Sequence, residues 1–227
     1  MTHRCPAVVD SLRFISNPLK GNDSYRFVRL LGQGSFGYVA EAVDKVTGER
    51  VAIKFLPRGE SLDTVRVKRE ILNHRVLNHH HVIRFIKLIL TPTALGIVME
   101  FANGGNLTEY VRKRGGIGKT LTRFLFQQLV LGVDYCHRMK VVNRDIKLQN
   151  TLLTGNVDWP MLKICDFGYS KHCIADSKPD SVVGTRPTMA PEVIEAHFGQ
   201  KYDGQKADIW CIGLFLYVLV ANRDRKS

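Results

Sequence analysis

From Tyr25 onward the apolar residues fall into short runs rich in Val, Ile and aromatic side chains: Tyr25–Leu31, Tyr38–Asp44 and Arg50–Leu56. Glycine-containing turns separate them, which predicts three β-strands. The period then changes. Over Asp63–Leu77, Val67, Ile71 and Leu72 recur at helical spacing and predict a helix that buries them on one face. Ile83–Leu90 and Leu95–Phe101 read as two further strands. Asn103-Gly104-Gly105 breaks the pattern. Beyond it, Leu107–Arg114 and Leu121–Met139 read as helices, 140–208 as a loop region holding most polar motifs, Val193–Ala196 as a short helix and Ile209–Ala221 as a buried helix. The expected fold class is α+β. A loosely packed leader (1–24) precedes a small β-rich lobe with one main helix (25–101) and a mainly helical lobe (102–227).

Composition narrows the class. At 227 residues the chain is long enough for one large domain or two small lobes. The run Ile209–Ala221 is shorter than the roughly 20 residues that span a bilayer. The N-terminus lacks the apolar core of a signal peptide. A cytosolic or nuclear protein with no membrane partner is therefore expected. The five cysteines are odd in number and none forms a CxxC pair, against a disulfide framework or a Cys-based zinc site. The net charge of +12 invites an acidic partner, but Lys and Arg are spread along the chain, so no specific nucleic acid is expected. His79-His80-His81 lacks an evident fourth ligand and reads as a solvated turn.

Five constellations carry chemistry. Leu31-Gly32-Gln33-Gly34-Ser35-Phe36-Gly37-Tyr38-Val39 lies between two strands rather than between a strand and a helix. That placement excludes the dinucleotide-binding reading of GxGxxG. Glycines there let the backbone approach triphosphate oxygens and leave N–H donors for them. Val51-Ala52-Ile53-Lys54 ends an apolar strand in a lysine able to reach α- and β-phosphates, and Glu70 on the next helix is a carboxylate able to orient it. In Asn143-Arg144-Asp145-Ile146-Lys147-Leu148-Gln149-Asn150, Asp145 is a candidate acceptor for a hydroxyl proton. Lys147 is a cation for the transferred phosphoryl and Asn150 a magnesium ligand. Lys163-Ile164-Cys165-Asp166-Phe167-Gly168 supplies a second magnesium ligand, Asp166, and Ala190-Pro191-Glu192 closes the segment it opens. Cys165, beside Asp166, reads as an inert thiol.

In this order and spacing the motifs resemble the eukaryotic protein kinase family, from about Tyr25 to the C-terminus. The resemblance implies a two-lobed fold with ATP and magnesium in the cleft, and Lys147 is similar to the Ser/Thr class. Arg58-Gly59-Glu60, Ile89-Leu90-Thr91-Pro92-Thr93, Ile164–Lys171 and Lys201-Tyr202-Asp203-Gly204 resemble the osmotic-stress subfamily of the sucrose-nonfermenting-related kinases of plants and green algae. The implied function is phosphorylation of Ser/Thr in protein substrates, under an upstream kinase or phosphatase. By the same resemblance Met99 is the gatekeeper and Glu100, Phe101 and Ala102 the adenine hinge. Ser181 is a regulatory phosphosite facing Arg144, and Asp208 braces the catalytic loop.

Four departures from the family pattern stand out. Asn143 replaces a His or Tyr and needs hydrogen-bond partners. Arg186 and Thr188 alter the peptide-docking stretch, while Thr185 remains to contact the catalytic loop. Asn106 replaces a Glu near the ribose side. Further helices would follow the equivalent of Ala221, so the second lobe reads as incomplete. These departures keep open a catalytically weak, kinase-like binding module.

Overall fold

Ala40, Glu41 and Ala42 are buried in succession, as are Val51, Ala52 and Ile53. Continuous burial over such short runs marks strands covered on both faces. The computed structural model describes residues 17–34, 37–59, 63–173, 179, 183–196 and 200–221. Strands β1 (Tyr25–Gly34), β2 (Gly37–Asp44), β3 (Arg50–Pro57), β4 (Phe85–Leu90) and β5 (Ala94–Glu100) form a five-stranded sheet in the order β1-β2-β3-β5-β4. Ile53, Phe55, Ala94 and Val98 centre its core. Buried Glu41 survives there because Arg29 and Arg50 each donate to its carboxylate, at 2.8 and 2.7 Å. A buried carboxylate is tolerated only when so paired.

Two compact units emerge. One holds the described residues before 63 together with Ile86–Phe101; the other holds Asp63–Phe85 and the described residues from Ala102 onward. The second unit contains α1 (Thr64–Arg75), α2 (Leu107–Arg114), α3 (Lys119–Arg138), α4 (Pro191–Glu195) and α5 (Gly204–Ala221). It also contains two short antiparallel pairs: β6 (Val141–Val142) with β9 (Lys171–His172), and β7 (Thr151–Thr154) with β8 (Met161–Ile164). Leu125, Leu129, Val133 and Cys136 recur every three or four residues along α3 and are fully buried. They pack in one cluster with Cys211, Ile212, Phe215 and Leu219 of α5.

Several expectations change. The described part of the leader is anchored, not loose. Leu19 is buried in the sheet core, and Asn22 Oδ1 accepts from the Ser24 and Tyr25 amides. On α1, Leu72 is exposed, and the buried face is Val67, Glu70, Asn73 and His74. Polar groups can occupy that face because they are satisfied: Asn73 Nδ2 donates to Ser170 Oγ and His74 Nε2 meets the Ile83 carbonyl. The loop region 140–208 contains β6 to β9. Of the three histidines only His80 is exposed as a solvated turn residue would be; His79 and His81 are half-buried. His79 stacks on Tyr135, His81 Nδ1 sits 3.0 Å from the Leu162 carbonyl, and burial lowers the pKa of both. Asn106 caps α2, its Oδ1 accepting from the Glu109 amide.

Helix α5 is only half buried: Ile209, Trp210 and Tyr217 are exposed. At 18 residues it is long and apolar enough to cross a membrane by length and composition, a test that core helices also pass. Its buried face carries Asp208, which a lipid-facing helix would leave without partners.

Leu129→Ala is expected to destabilise the chain by about 2–5 kcal/mol, read as a lowered denaturant midpoint. Val46→Ala, at a position 90% exposed, should change stability by less than about 0.5 kcal/mol. Equal effects at the two positions would contradict this core.

Candidate active site

Asn143, Arg144 and Asp145 leave β6 directly, and their backbone is set by one side chain. Asp208 on α5 is 0% exposed. Its Oδ2 accepts from the Asn143 amide at 2.9 Å and lies 2.8 Å from His137 Nε2, while its Oδ1 accepts from the Arg144 amide at 2.8 Å. Arg144 takes φ +68°, a left-handed conformation unfavourable for a residue with a Cβ. Its guanidinium donates to the Tyr169 carbonyl and the Tyr202 hydroxyl. Gly184 packs against the same turn; a Cβ there would lie 2.7 Å from the Arg144 carbonyl oxygen, at φ +121°. No side chain fits that position without strain. Ser181 lies outside the described residues, as do Ser35, Phe36 and the leader before residue 17.

Asp145, 2% exposed, is the hub of a polar cluster. Lys147 Nζ and Asn150 Nδ2 both donate to Oδ2 at 2.7 Å, and the Thr185 hydroxyl donates to Oδ1 at 2.7 Å. Lys147 Nζ also donates to Thr185 Oγ1. Asn143, the departure before Arg144, is buried and has its partners. Its Oδ1 accepts from the Asp145 amide at 3.1 Å and its Nδ2 donates to the Asp166 carbonyl at 3.2 Å. It thereby joins the Asp145 segment to the Asp166 segment.

Asn150 and Asp166 lie at one end of the hairpin between them. Register pairs Thr151 with Ile164, so the residues flanking that pair emerge at the same end. The Asn150 carbonyl accepts from the Cys165 amide at 3.0 Å and from its Sγ at 3.3 Å, fixing Asp166 one residue further on. Asp166 has φ +61°, and its Oδ1 accepts from the Gly168 amide. A Cβ on Gly168 would meet Asp166 Oδ1 at 3.1 Å and Glu70 Oε2 at 3.2 Å, so both carboxylates converge on that glycine. Phe167 is buried and stacks on His74, with ring centroids 5.0 Å apart.

The donor chemistry suits a small hard cation. The Asn150 side-chain oxygen and the Asp166 carboxylate are oxygen donors. Among the described residues no cluster of three or more His, Cys, Asp or Glu could hold a metal ion. Two protein oxygens, with phosphate and water completing the shell, is how magnesium is commonly held beside a nucleotide.

In the other unit, cross-strand register gathers the remaining predicted residues. Lys54 faces Val39 and Ile97 in neighbouring strands, and Ala52 faces Met99. Directly opposed residues share a face, and so do residues two apart, so Val39, Ala52, Lys54 and Met99 lie on one side of the sheet. Leu31, Gly32 and Gln33 are exposed near the tip of the β1–β2 hairpin, where Gly34 pairs with Gly37. A Cβ on Gly37 would fall 2.0 Å from the Phe55 carbonyl oxygen, which only glycine avoids. Tyr38 stacks on Phe55, and burial raises its pKa. Glu100 is half-buried; Ala102, in the second unit, is buried.

Two of the described cysteines are deeply buried. Burial pushes the Cys136 and Cys211 thiols up to about 12, so both are protonated near neutral pH. The Cys211 thiol accordingly donates to the Thr188 carbonyl at 3.3 Å. Cys165 is half-buried.

The protein kinase domain model matches residues 25–225. Serine/threonine-protein kinase SRK2D of Arabidopsis thaliana is 49% identical over 199 residues, 88% of this chain and 54% of the relative. SAPK9 of Oryza sativa subsp. japonica is 48% identical over 198 residues, covering 87% and 54%. SRK2A of Physcomitrium patens is 48% identical over 199 residues, covering 88% and 56%. The chain spans about half the length of the curated relatives it matches. With the match running across the sheet unit, the Asp145 cluster and the Asp166 hairpin alike, the chain belongs to the protein kinase domain family.

Proposed function

We propose that this protein transfers the γ-phosphoryl group of ATP, with magnesium, to Ser and Thr hydroxyls of protein substrates, and that it does so in stress signalling. The observation that carries the reading is the Thr185 hydroxyl, which donates to Asp145 Oδ1 at 2.7 Å. The bond supports the reading that the Asp145 carboxylate can accept a hydroxyl proton. The stress assignment draws on the resemblance to the osmotic-stress subfamily. Reduced, buried thiols suit the cytosol or nucleus.

On this reading Asp145 orients the acceptor hydroxyl and receives its proton. The acceptor oxygen bonds to phosphorus as the bond from phosphorus to the departing ADP oxygen breaks. Lys147, held against Asp145 at 2.7 Å, offsets the negative charge of the moving phosphoryl group. Asn150 and Asp166 would hold magnesium. Lys54, Ala52, Val39 and Met99 share the sheet face suited to the nucleotide, with Glu70 the carboxylate that would orient Lys54. Bound magnesium neutralises phosphate charge and makes ADP a better leaving group. The alternative, a catalytically weak binding module, drew on Asn143, on the docking stretch altered at Arg186 and Thr188, and on the incomplete second lobe; the two hydrogen bonds of Asn143 count against the first of these alone.

Phosphate transfer from Mg-ATP to a Ser/Thr peptide should be measurable for the chain. Asp145→Asn should lower kcat by about 10²–10⁴-fold. No transfer from folded wild-type chain, or transfer indifferent to Asp145→Asn, would overturn the reading. Asn143→Ala removes the acceptor of the Asp145 amide, and a buried donor left without a partner costs about 1–3 kcal/mol. It should reduce kcat at least about tenfold and lower the thermal midpoint. An unchanged kcat would remove Asn143 from the positioning machinery.

A further inference from the structure

Strand β8, which leads into Cys165 and Asp166, is held at both edges. One edge pairs with β7. The other rests on the turn that follows α1. There the Ile164 amide donates to the His81 carbonyl at 2.8 Å and the Ile83 amide donates to the Ile164 carbonyl at 2.9 Å, a parallel bridge centred on Val82. His81 Nδ1 lies 3.0 Å from the Leu162 carbonyl of the same strand. The turn is itself held by one imidazole. His79 Nδ1 accepts from the His81 amide at 3.1 Å, and a ring nitrogen that accepts from an N–H carries no proton. The His79 ring stacks on Tyr135 of α3 with centroids 4.8 Å apart, and the Tyr135 hydroxyl accepts from the Asn78 amide at 2.9 Å. The packing is close: a Cβ on Gly132 would stand 3.0 Å from the His81 carbonyl oxygen.

We infer that His79 is a proton-sensitive latch that positions the Asp166 segment. Neutral, it holds the His81 amide and with it the edge on which β8 rests. When Nδ1 takes a proton from solvent, that amide loses its acceptor, a cation forms inside a basic cluster, and the turn lets go of β8. The groups facing His79 are His80 and His81 on its own turn, Tyr135 and Arg138 on α3, and Lys163 on β8. Arg138 pairs with Asp134 at 3.0 Å. Burial, and then these neighbouring positive groups, keep His79 below the ordinary imidazole value of 6.5. The latched state therefore binds fewer protons than the released one. Latching is complete above pH 6.5 and is lost as the pH falls below it. His81 does not share the role: its Nδ1 keeps its proton to donate to the Leu162 carbonyl, and a second proton on Nε2 leaves that bond in place. His79 acts on Asp166 through His81 and Ile164, so it is a positioning residue. Its link to catalysis rests on the reading of Asp166 as a magnesium ligand.

The test uses the full chain and two variants. His79→Asn keeps a side-chain oxygen that can accept from the His81 amide and takes no proton near neutrality. His79→Phe keeps a ring for Tyr135 and offers no acceptor. Amide-exchange protection at Ile83 and Ile164 is measured by NMR at pH 7.5 and pH 5.5, with Leu125 and Leu129 of α3 as the check that the core stays folded. Binding of Mn2+ in the presence of ADP is followed by electron paramagnetic resonance at the same two values. In the wild-type chain, protection at Ile164 and affinity for Mn2+ should both fall about tenfold or more at pH 5.5, the loss of one hydrogen bond. His79→Asn should hold both at the higher level, and His79→Phe should show the lower level at either pH. Protection at Ile164 that is unchanged between the two pH values in wild type, or that falls equally in His79→Asn, would overturn the latch. So would Mn2+ affinity that ignores the release of Ile164. Release in the expected pattern with no Mn2+ bound at either pH would defeat the metal-ligand reading and leave the latch standing, whereas Mn2+ bound beside an unresponsive Ile164 would defeat the latch alone.

Discussion

The second unit is organised around one buried carboxylate. Asp208 sits on a largely apolar helix with no exposure and accepts from the amides of Asn143 and Arg144 while facing His137. A buried charge in those surroundings is costly unless its oxygens are satisfied, and these are. The same bonds hold Arg144 at a positive φ that its side chain disfavours. Helix burial therefore does more than close a core. It carries a carboxylate to the depth at which it can impose a turn, and that turn aims Asp145.

From Asp145 the constraint spreads through short polar links. Lys147, Asn150 and Thr185 converge on its carboxylate, and Asn143 connects its amide to the Asp166 carbonyl. The β7–β8 pairing then brings Asn150 and Asp166 to one hairpin end without any direct bond between their side chains being needed. The residues proposed as proton acceptor, phosphate-facing cation and metal ligands are held by backbone register and a few hydrogen bonds. That suits a reaction in which positioning and electrostatics do most of the catalytic work.

Much of this was legible from residue patterns, and the failures have physical causes. Strands β1 to β3 and helix α2 were readable because their apolar runs and glycine punctuation act locally. Strands β6, β7 and β9 were not, since two to four residues are too few to display a period. The α1 face was misjudged at Leu72 because apolar spacing ignores buried polar residues, and Asn73 and His74 are buried through partners distant in sequence. Asn106 carried a local signal: an Asn followed three residues later by Glu109 resembles a helix-start signature. Its capping role was obscured by comparison with a ribose-side Glu. The motif around Asp145 pointed to residues that the fold brings together, whereas Asn143's compensating bonds depend on the packed position of Asp166.

Amide hydrogen exchange at Asn143 and Arg144 tests the claim that Asp208 holds the catalytic segment. In the wild-type chain both amides should exchange slowly, at rates near those of the α3 core amides of Leu125 and Leu129. In Asp208→Ala the two loop amides should lose most of that protection while Leu125 and Leu129 keep theirs. Loop amides equally protected in Asp208→Ala and wild type would contradict the account.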